Sequence, residues 1–373
     1  MTREDADVIV VGAGPAGAAA AIVLARAGRR VIVADRARFP RDKCCGDGIT
    51  GAALPRLRDL GLDASRVASW RDVDRSVFVS QSGRSLALET GGGRRGVLAV
   101  ATRADLDAAL LDVARRAGAR VVEEARLDSA ALTADGVSLE FERVGSLHAS
   151  FVIAADGAWS PTRRALQPTE VAIPKWQAAR TYVEGVEGAA AAEARVWFDA
   201  DLLPGYAWSF PLGDGRANVG VGALRTAGGG GGWIVRRLGS LLQSDHVRSF
   251  LGEASSSEGR AAVWPIPTEL KRENLIGGQG RALFAGDAVG ATDPMTGEGI
   301  AEALQTGTLA AEALIAGRPN SYAATAGRAL VWRHRRRQLC SDLLRRRALA
   351  AAGLAVADAN HWTRAQFTRW IFE

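Results

Sequence analysis

Residues 6–36 read ADVIVVGAGPAGAAAAIVLARAGRRVIVADR, and this stretch decides the fold class. The β-branched run at 8–11 is typical of a strand buried on both faces of a parallel sheet. Good helix formers follow over 15–27, Gly28 ends the helix, and the apolar run at 31–33 predicts a second strand. A strand, a tight turn, a helix and another strand in this order predict an α/β fold with a Rossmann-like domain.

The turn at residues 12–17, GAGPAG, has the spacing of a dinucleotide-binding loop. Gly12 permits the tight turn, Gly14 lets the backbone approach a pyrophosphate, and Gly17 lets the helix pack against the strand. The N-terminus of that helix offers free N–H groups and a partial positive charge to a phosphate. Asp35, at the end of the second strand, can accept hydrogen bonds from ribose hydroxyls. We therefore predict that this unit binds a dinucleotide.

Two later stretches favour FAD over NAD. Each is an apolar run that ends in an Asp beside a Gly: FVIAADGAWS over 151–160 and ALFAGDA over 282–288. Asp156 and Asp287 would lie at the carboxyl ends of strands, where ligands of open α/β sheets bind, and an acid there can hold a ribityl hydroxyl. The alternative for either Asp alone is a helix cap or a turn residue.

The segment PMTGEG over 294–299 precedes a predicted helix over 300–316. Its glycines let backbone N–H groups point at a ligand, and the helix start adds partial positive charge. A flavin whose pyrimidine edge lay there would be favoured as the reduced anion. This feature suits a reductase and a monooxygenase equally.

Four stretches carry a resemblance to a known family: FPRDKCCGDG (39–48), PGYAWSFP (204–211), GDGRANVGVG (213–222) and GDAVGATDPMTGEGI (286–300). The first is similar to the C-G-D-G segment beside the flavin of geranylgeranyl reductases, and the second to their Y-x-W-x-F-P substrate-pocket motif. The third follows the second as it does there, and the last looks like their flavin-binding segment. Over residues 6–317 the chain resembles the flavoproteins that include para-hydroxybenzoate hydroxylase, flavin-dependent halogenases and geranylgeranyl reductases, and these stretches point to the reductases.

Other positions differ from the pattern of one or another branch of this superfamily. Gly290 stands where the aromatic hydroxylases usually have His, and the halogenases resemble the 39–48 stretch less well. Halogenation also needs a lysine near the substrate, and none of the three lysines has that context. Cys44 beside Cys45 departs from the reductase pattern, and the tail after about residue 318 matches no family pattern.

The resemblance implies an FAD-dependent oxidoreductase that reduces C=C bonds of an apolar prenyl or natural-product substrate. The alternative is an FAD-dependent monooxygenase or halogenase that tailors a small-molecule natural product. Cys45 would be the catalytic acid beside the flavin. The alternative for Cys44 and Cys45 is a pair of inert buried thiols.

The resemblance also implies which residues contact the flavin and the substrate. Arg103 opens a predicted helix and would reach the flavin phosphates or the adenosine; the alternative is an exposed arginine in a first turn. The predicted cofactor contacts are Gly12, Gly14, Ala16, Gly17, Asp35, Arg36, Cys45, Gly46, Arg103, Asp156, Gly157, Gly286, Asp287, Pro294, Gly297, Gly299 and Ile300. The predicted substrate pocket, whose aromatics could otherwise be plain core residues, is lined by Tyr206, Trp208, Phe210 and Trp264.

The remaining strand signals predict an antiparallel sheet. Apolar and polar residues alternate over 76–88 and 137–151, and the strand pattern recurs with aromatics over 178–222 and 258–268. We predict a Rossmann-like FAD-binding domain, an antiparallel β-sheet substrate domain and C-terminal helices, as in para-hydroxybenzoate hydroxylase. The expected ranges are 1–72, 97–165 and 271–317 for the FAD-binding domain, 73–96 and 166–270 for the substrate domain, and 318–373 for the helical segment. Loops are expected at 228–232 and 252–259.

The net charge of +6 is concentrated in the arginines of 333–337 and 345–347. The simplest interpretation is a solvated helix face, and the alternative is contact with an anionic membrane surface or an acidic carrier protein. No nucleic-acid motif accompanies the charge, so a nucleic-acid partner is not expected. The three cysteines and four histidines lack metal-ligand spacing, so no metal site is expected.

The chain lacks a run of about 18 apolar residues, and its polar start leads straight into a strand. We therefore expect a cytoplasmic protein, either free or peripheral to the membrane. A second G-x-G-x-x-G unit for NAD(P)H is missing. The reductant is therefore either NAD(P)H that binds transiently or a separate electron donor, such as a flavin reductase or ferredoxin.

Overall fold

A computed structural model describes residues 5–91, 96–167, 173–225 and 231–373. Its strands are β1 (Ala6–Val11), β2 (Val31–Ala34), β3 (Gly48–Thr50), β4 (Arg71–Asp72), β5 (Arg75–Val79), β6 (Ser85–Glu89), β7 (Leu98–Val100), β8 (Arg120–Val122), β9 (Leu127–Leu132), β10 (Val137–Phe141), β11 (Gly145–Ala154), β12 (Trp176–Glu184), β13 (Ala194–Trp197), β14 (Tyr206–Gly213), β15 (Arg216–Leu224), β16 (Ser256–Ile266), β17 (Ile276–Gly277) and β18 (Ala282–Phe284). Its helices are α1 (Pro15–Arg26), α2 (Ala53–Asp59), α3 (Arg103–Arg116), α4 (Pro161–Leu166), α5 (Gly231–Leu242), α6 (Asp245–Leu251), α7 (Ile300–Ile315), α8 (Ser321–Ala326), α9 (Trp332–Leu344), α10 (Arg347–Ala357) and α11 (His361–Phe372).

A mainly parallel sheet contains the N-terminal strand. β1 pairs in parallel with β2 on one side and with β11 on the other; β2 continues to β8, and β11 to β18. β17 pairs antiparallel with β18, and β9 and β10 extend the first half of β11. The chain builds the sheet outward from β1 in both directions, so the crevice between β1 and β11 is where an open α/β sheet binds its ligand.

Two helices pack tightly beside the first strand. The alanines of α1 at 18–21 are fully buried, and α1 lies against α7. Gly307 of α7 makes this approach possible, because a methyl group there would lie 2.0 Å from the carbonyl oxygen of Ala16. The absence of side-chain bulk on both helices therefore fixes their distance.

A seven-stranded sheet has the order β16-β12-β15-β14-β13-β5-β6. Its neighbours are antiparallel, as predicted, except that β13 and β5 run parallel. These two strands come from distant parts of the chain, so no hairpin constrains their direction. One face packs on α5 and α6 around Ile234, Leu238 and Val247. At one edge of the sheet, β5 and β6 contribute to a second core with α10 and α11, through Leu354 and Phe372.

The fold class predicted from the sequence is confirmed, with local differences. A small antiparallel sheet, β3-β7-β4, was not predicted, because strands of two or three residues carry no visible alternation. The expected loop at 252–259 is partly wrong, since β16 begins at Ser256 and pairs with β12. Of the loop expected at 228–232, residues 228–230 lie outside the described part, and Gly231 and Gly232 begin α5.

The C-terminal segment is helical, as predicted, and its helices begin already at Ser321. A turn of π-helix at Gly327–Val331 joins α8 to α9. Among the described residues, no helix combines the length and the apolarity needed to cross a bilayer.

We expect Gly307→Ala to destabilise the protein by about 1–3 kcal/mol or more, because the new methyl group would overlap the α1 backbone. Gly239→Ala in α5 is a matched control. A methyl group at Gly239 meets nothing within 4 Å, and Ala in a helix interior is favoured over Gly by about 0.5–1 kcal/mol. Urea-induced unfolding of the three proteins measures both effects. Equal stability of Gly307→Ala and the parent chain would contradict the close helix contact.

Candidate functional site

A cavity of about 1340 Å³ lies between the two large sheets. At one end it is bounded by the turn after β1 and by the carboxyl ends of β2 and β11. At the other end it reaches β14 and the helices α10 and α11. The crevice expected from the strand order is therefore part of a larger, mainly apolar chamber.

The turn between β1 and α1 forms one end wall. Gly12 has a φ of 98°, and a side chain there would lie 2.3 Å from the Ala155 carbonyl oxygen. Gly17 sits equally tightly, 1.8 Å from the Gly12 carbonyl oxygen. At Gly14, by contrast, the nearest groups are two guanidinium nitrogens at 3.8 Å. Gly12 and Gly17 are thus required by the protein itself, while Gly14 leaves open space toward the cavity.

Positive charge collects beside this turn. The two guanidiniums near Gly14 belong to Arg41 and Arg103. Arg103 is buried and forms a bidentate pair with Asp107, at 2.8 and 2.6 Å, and Arg41 lies 2.9 Å from the same carboxylate. Burial alone would raise the pKa of Asp107, but Arg103 lowers it. Two cations share one anion, which leaves a net positive charge at the N-terminus of α1.

Sequence reasoning identified Arg103 but missed Arg41 and Asp107. The i, i+4 spacing of Arg103 and Asp107 on one helix was an available signal. Arg41 lies far from both in sequence, and only the folded chain brings it there.

The acid at the end of β2 orders the turn. Asp35 accepts hydrogen bonds from the Ala13 N–H at 2.7 Å and the Ala37 N–H at 2.8 Å, and it lines the cavity. Arg36 is exposed at the rim, and Ala16 lies on the wall. The structure thus brings these predicted cofactor contacts together at one end of the cavity.

Asp156, at the end of β11, has one occupied and one free oxygen. Its Oδ2 accepts from the Thr162 N–H at 3.0 Å. Its Oδ1 is buried without a hydrogen-bond partner among the described residues, although Asp156 and Gly157 both line the cavity. Burial raises the pKa of Asp156. An unused buried acceptor of this kind suits a hydroxyl donor from a ligand.

Asp287, after β18 and Gly286, has a protein partner. Its Oδ2 lies 2.9 Å from Lys43 Nζ, and its Oδ1 accepts from the Thr292 hydroxyl at 3.2 Å. Burial would raise the pKa of Asp287, but Lys43 lowers it, so the carboxylate is charged. Any ribityl hydroxyl would share Asp287 with Lys43, a residue that sequence reasoning did not connect to it.

The loop before α7 lines the opposite side of the cavity. Asp293 is fully buried and accepts from the N–H groups of Met295 and Thr296, at 2.9 and 3.0 Å, and pairs with Arg337 at 2.9 Å. These bonds hold the loop residues that face the cavity, among them Pro294, Gly297, Gly299 and Ile300.

Two acids of this region escaped sequence reasoning. Glu298 accepts from the Ala301 N–H at 2.9 Å and lines the cavity; Glu302, one turn further, is buried and lies 2.5 Å from Arg333. Burial raises the pKa of Glu298 to about 7 and that of Glu302 to about 8. The interpretation of the arginine cluster as a solvated face is therefore only partly right, because Arg333 points inward to Glu302 and Arg337 to Asp293.

Cys45 lies on the cavity wall next to positive charge. Burial raises the pKa of its thiol, so the thiol is protonated at neutral pH. Arg103 acts to lower this pKa, the Asp47 carboxylate raises it further, and the Asp47 backbone N–H lowers it slightly. Asn218 Nδ2 donates to the Cys45 carbonyl and to Asp47 Oδ2, both at 2.8 Å. Tyr182 donates to the same carboxylate at 3.0 Å. The Cys45–Asp47 segment is thus held from the substrate-side sheet.

Cys44 has a different neighbourhood. Its thiol donates to the Ala262 carbonyl oxygen on β16 at 3.4 Å, and burial raises its pKa to about 12. Both cysteines line the cavity. Only Cys45 has Arg103 among the charges that act on it.

The predicted pocket aromatics lie along the cavity wall. Tyr206, Trp208 and Phe210 alternate on β14, with ring centroids 6.0 and 6.4 Å apart, and Trp264 of β16 also lines the cavity. Trp208 donates to Asn218 at 2.9 Å, and the Tyr206 hydroxyl donates to the Thr296 carbonyl. A side chain at Gly46 would begin 3.4 Å from both Trp208 and Phe210. The C-G-D-G segment and the aromatic row are therefore in contact.

Residues 5–193 match the family model described as FAD binding domain. The chain is 34% identical over 334 residues to menaquinone reductase of Mycolicibacterium smegmatis, covering 85% of this chain and 78% of that protein. It is 32% identical over 322 residues to digeranylgeranylglycerophospholipid reductase 1 of Methanopyrus kandleri, covering 83% and 80%. The chain belongs to the geranylgeranyl reductase family of FAD-dependent oxidoreductases. A solved geranylgeranyl bacteriochlorophyll reductase-like protein of Thermoplasma acidophilum has the same fold, with a TM-score of 0.81 at 21% identity over 96% of this chain and 92% of that one.

The geometry at Gly14 allows the predicted cofactor contact to be tested separately from folding. Gly14 has a φ of −72°, which any residue adopts, and a Cβ there meets only flexible arginine ends at 3.8 Å. We expect Gly14→Val to fold normally but to lose FAD, because its side chain would block the approach of a pyrophosphate. Thermal unfolding of the FAD-free proteins measures folding, and flavin absorbance per chain measures FAD content. A variant with a full complement of FAD would refute the assignment.

Glu302→Gln of this reductase-family chain should change the pH dependence of stability. Burial raises the pKa of Glu302 from 4.5 to about 8, so between these values the folded chain holds a proton that the unfolded chain has lost. Its contribution to the free energy of unfolding therefore falls as pH rises through this window. The two proteins should unfold alike below about pH 4.5, and the variant should be more stable above about pH 8. Urea titrations at several pH values measure this, and parallel curves would contradict it.

Proposed function

We propose that this protein is an FAD-dependent reductase of carbon–carbon double bonds in an apolar prenyl or natural-product substrate. The observation that carries the proposal is the position of Cys45, whose protonated thiol lies on the wall of a cavity that joins the dinucleotide turn to an aromatic row. The relatives named menaquinone reductase and digeranylgeranylglycerophospholipid reductase are named for isoprenoid lipids, which supports such a substrate.

The residues present fit FAD. The open space at Gly14, the uncapped first turn of α1 and the surplus positive charge of Arg41 and Arg103 suit a diphosphate. The free Oδ1 of Asp156 suits a flavin hydroxyl. The two large sheets support the proposed domain ranges. The proposed FAD-binding domain, 1–72, 97–165 and 271–317, contains the mainly parallel sheet, and the proposed substrate domain, 73–96 and 166–270, contains the seven-stranded sheet.

The chemistry divides between the cofactor and the chain. FAD, when bound and reduced, supplies a hydride to one carbon of the double bond. Cys45 donates the proton to the other carbon, so that the π bond is replaced by two C–H bonds. The thiolate left behind faces the Arg103 guanidinium, whose positive charge favours the anion.

Asp47 acts as a positioning residue. It is fully buried with a φ of 62°, and its Oδ2 accepts from Tyr182 and Asn218. Burial raises its pKa to about 6. Its bonds fix the backbone turn that directs Cys45 and Gly46 into the cavity.

The substrate lies against the aromatic row. Tyr206, Trp208 and Phe210 offer a continuous apolar surface beside Gly46. Trp264, on strand β16 of the same sheet, adds to the cavity wall. The reductant is NAD(P)H that binds transiently, or a separate electron donor. Lys43 does not favour halogenation, since it is engaged with Asp287 at 2.9 Å.

We expect Cys45→Ser to slow reoxidation of the reduced flavin by an alkene by about 10²-fold or more, because a positioned acid contributes roughly that much to proton transfer. FAD content should stay unchanged. Cys44→Ser is the matched control and should have a smaller effect, because its thiol contacts β16 and lacks the Arg103 contact.

Stopped-flow mixing of dithionite-reduced enzyme with candidate prenyl alkenes, under exclusion of oxygen, measures both rates. Product that forms only after oxygen is admitted would replace the reductase proposal with the monooxygenase alternative. Equal rates in Cys45→Ser and Cys44→Ser would remove Cys45 from the reaction.

A further inference from the structure

Several large apolar side chains are exposed on the outer surface of the C-terminal helices. Six of them, here called the C-terminal patch, are Trp332, Leu339, Leu343, Leu349, Val356 and Trp362. Trp332 and Trp362 are 65% and 68% exposed, and Val356 is 63% exposed. Single exposed apolar residues are ordinary, but six of them on three consecutive helices mark an interaction surface.

Helix α9 has polar residues on its inward side and apolar residues on its outward side, the reverse of an ordinary surface helix. Its inward residues are polar: His334 contacts the Thr292 carbonyl oxygen at 3.1 Å, and Arg337 pairs with Asp293 at 2.9 Å. Its outward residues at 332, 339 and 343 are apolar and share one face by their spacing of seven and four. A water-facing helix would show the reverse distribution. The apolar side of α9 therefore faces away from the protein interior.

Arginines surround the patch. The exposed ones on α9 to α11 and their junctions include Arg335, Arg336, Arg346, Arg347, Arg364 and Arg369. The acids nearby are few, and Asp358 is already engaged by Arg84 and Arg364 at 3.0 and 2.7 Å. A second copy of the chain would bring the same positive charges face to face, which disfavours self-association through this surface.

We infer that the C-terminal patch seats this protein on an anionic lipid bilayer. Tryptophans and leucines inserted at the interface, with arginines among them, are the composition of surface-bound amphipathic helices. Anionic headgroups attract the arginines, and the apolar side chains enter the acyl boundary. The docking itself does not depend on the reaction proposed above.

The cavity reaches the same helices from inside. Leu354 of α10 and Phe367 and Ile371 of α11 line it, and Trp370 both lines the cavity and is 38% exposed. The inner and outer faces of α10 and α11 thus connect the aromatic row to the patch. If the proposed function holds, an isoprenoid chain passes from the bilayer to the cavity beside Trp370.

Vesicle flotation with the full chain tests the docking. The probes are vesicles of phosphatidylcholine alone and vesicles that also contain phosphatidylglycerol. We expect binding to the anionic vesicles at low salt and its loss at high salt. Replacing Arg335 and Arg336 together by Gln should weaken binding by about fivefold per arginine.

A matched pair of variants tests the apolar part. Val356→Asp lies in the patch, and Val235→Asp makes the same change at an exposed valine of α5. We expect Val356→Asp to reduce vesicle binding at least about tenfold, and Val235→Asp to leave it unchanged. Both should keep FAD and reduce a short, detergent-dispersed alkene at the rate of the parent chain.

Three outcomes overturn the inference. The parent chain does not float with anionic vesicles at low salt; both Asp variants bind equally well; or light scattering shows a dimer that only Val356→Asp dissociates, in which case a second copy covers the patch. Vesicle binding by a chain that reduces no alkene would defeat the proposed function and leave the docking intact.

Discussion

The close approach of three backbones around α1 is the constraint on which the rest of the structure depends. Gly17 brings α1 within contact of the turn after β1, and Gly307 brings α7 onto the same helix. Contacts between backbones leave almost no freedom, because no side chain can rearrange to relieve them. The N-termini of α1 and α7 consequently open onto one cavity, lined by Gly14 and Gly299. Two helix N-termini give this cavity a positive lining before any side-chain charge is added.

Buried charge completes the cavity in two places of opposite sign. Near α1, Arg41 and Arg103 outnumber Asp107, so the surplus is positive. Near α7, three acids lie together: Asp293, Glu298 and Glu302. Arg337 pairs with Asp293, and Arg333 pairs with Glu302. Three buried acids beside two arginines would leave one negative charge unpaired, which is unfavourable. Burial accordingly raises the pKa values of Glu298 and Glu302, which favours their protonated forms. The two ends of the cavity therefore differ in the charge that a ligand meets.

Local sequence patterns made the fold predictable, but contacts between residues far apart in sequence could not be predicted from them. The β1–α1–β2 unit and the alternating strands follow from neighbours in sequence, so residues 6–36 already give the central layer correctly. Pairs such as Lys43 with Asp287 join residues hundreds of positions apart, and no periodicity reports them. The three-residue strand β3 and the parallel pairing of β13 with β5 were missed for a related reason, since tertiary contacts alone determine them. At the site, the family resemblance implied separate roles for Cys45 and for the aromatics of β14, and only the structure shows Asn218 as a bridge between them, because it accepts from Trp208 and donates to the Cys45 carbonyl.

Helix geometry explains how one basic stretch can have two roles. Residues one or two apart on a helix point in different directions, so Arg333 and Arg337 face the acids beside the cavity while Arg335 and Arg336 face outward. Composition counts these arginines together and describes a single solvated face. The structure separates them: the inner pair contacts Asp293 of the loop before α7 and Glu302 of α7, and the outer pair lies among exposed tryptophan and leucine side chains. Charge that served only solubility would have no reason to alternate with strongly exposed apolar side chains such as Trp332 and Leu339, and this alternation is the observation that favours the proposed docking face over a solvated one.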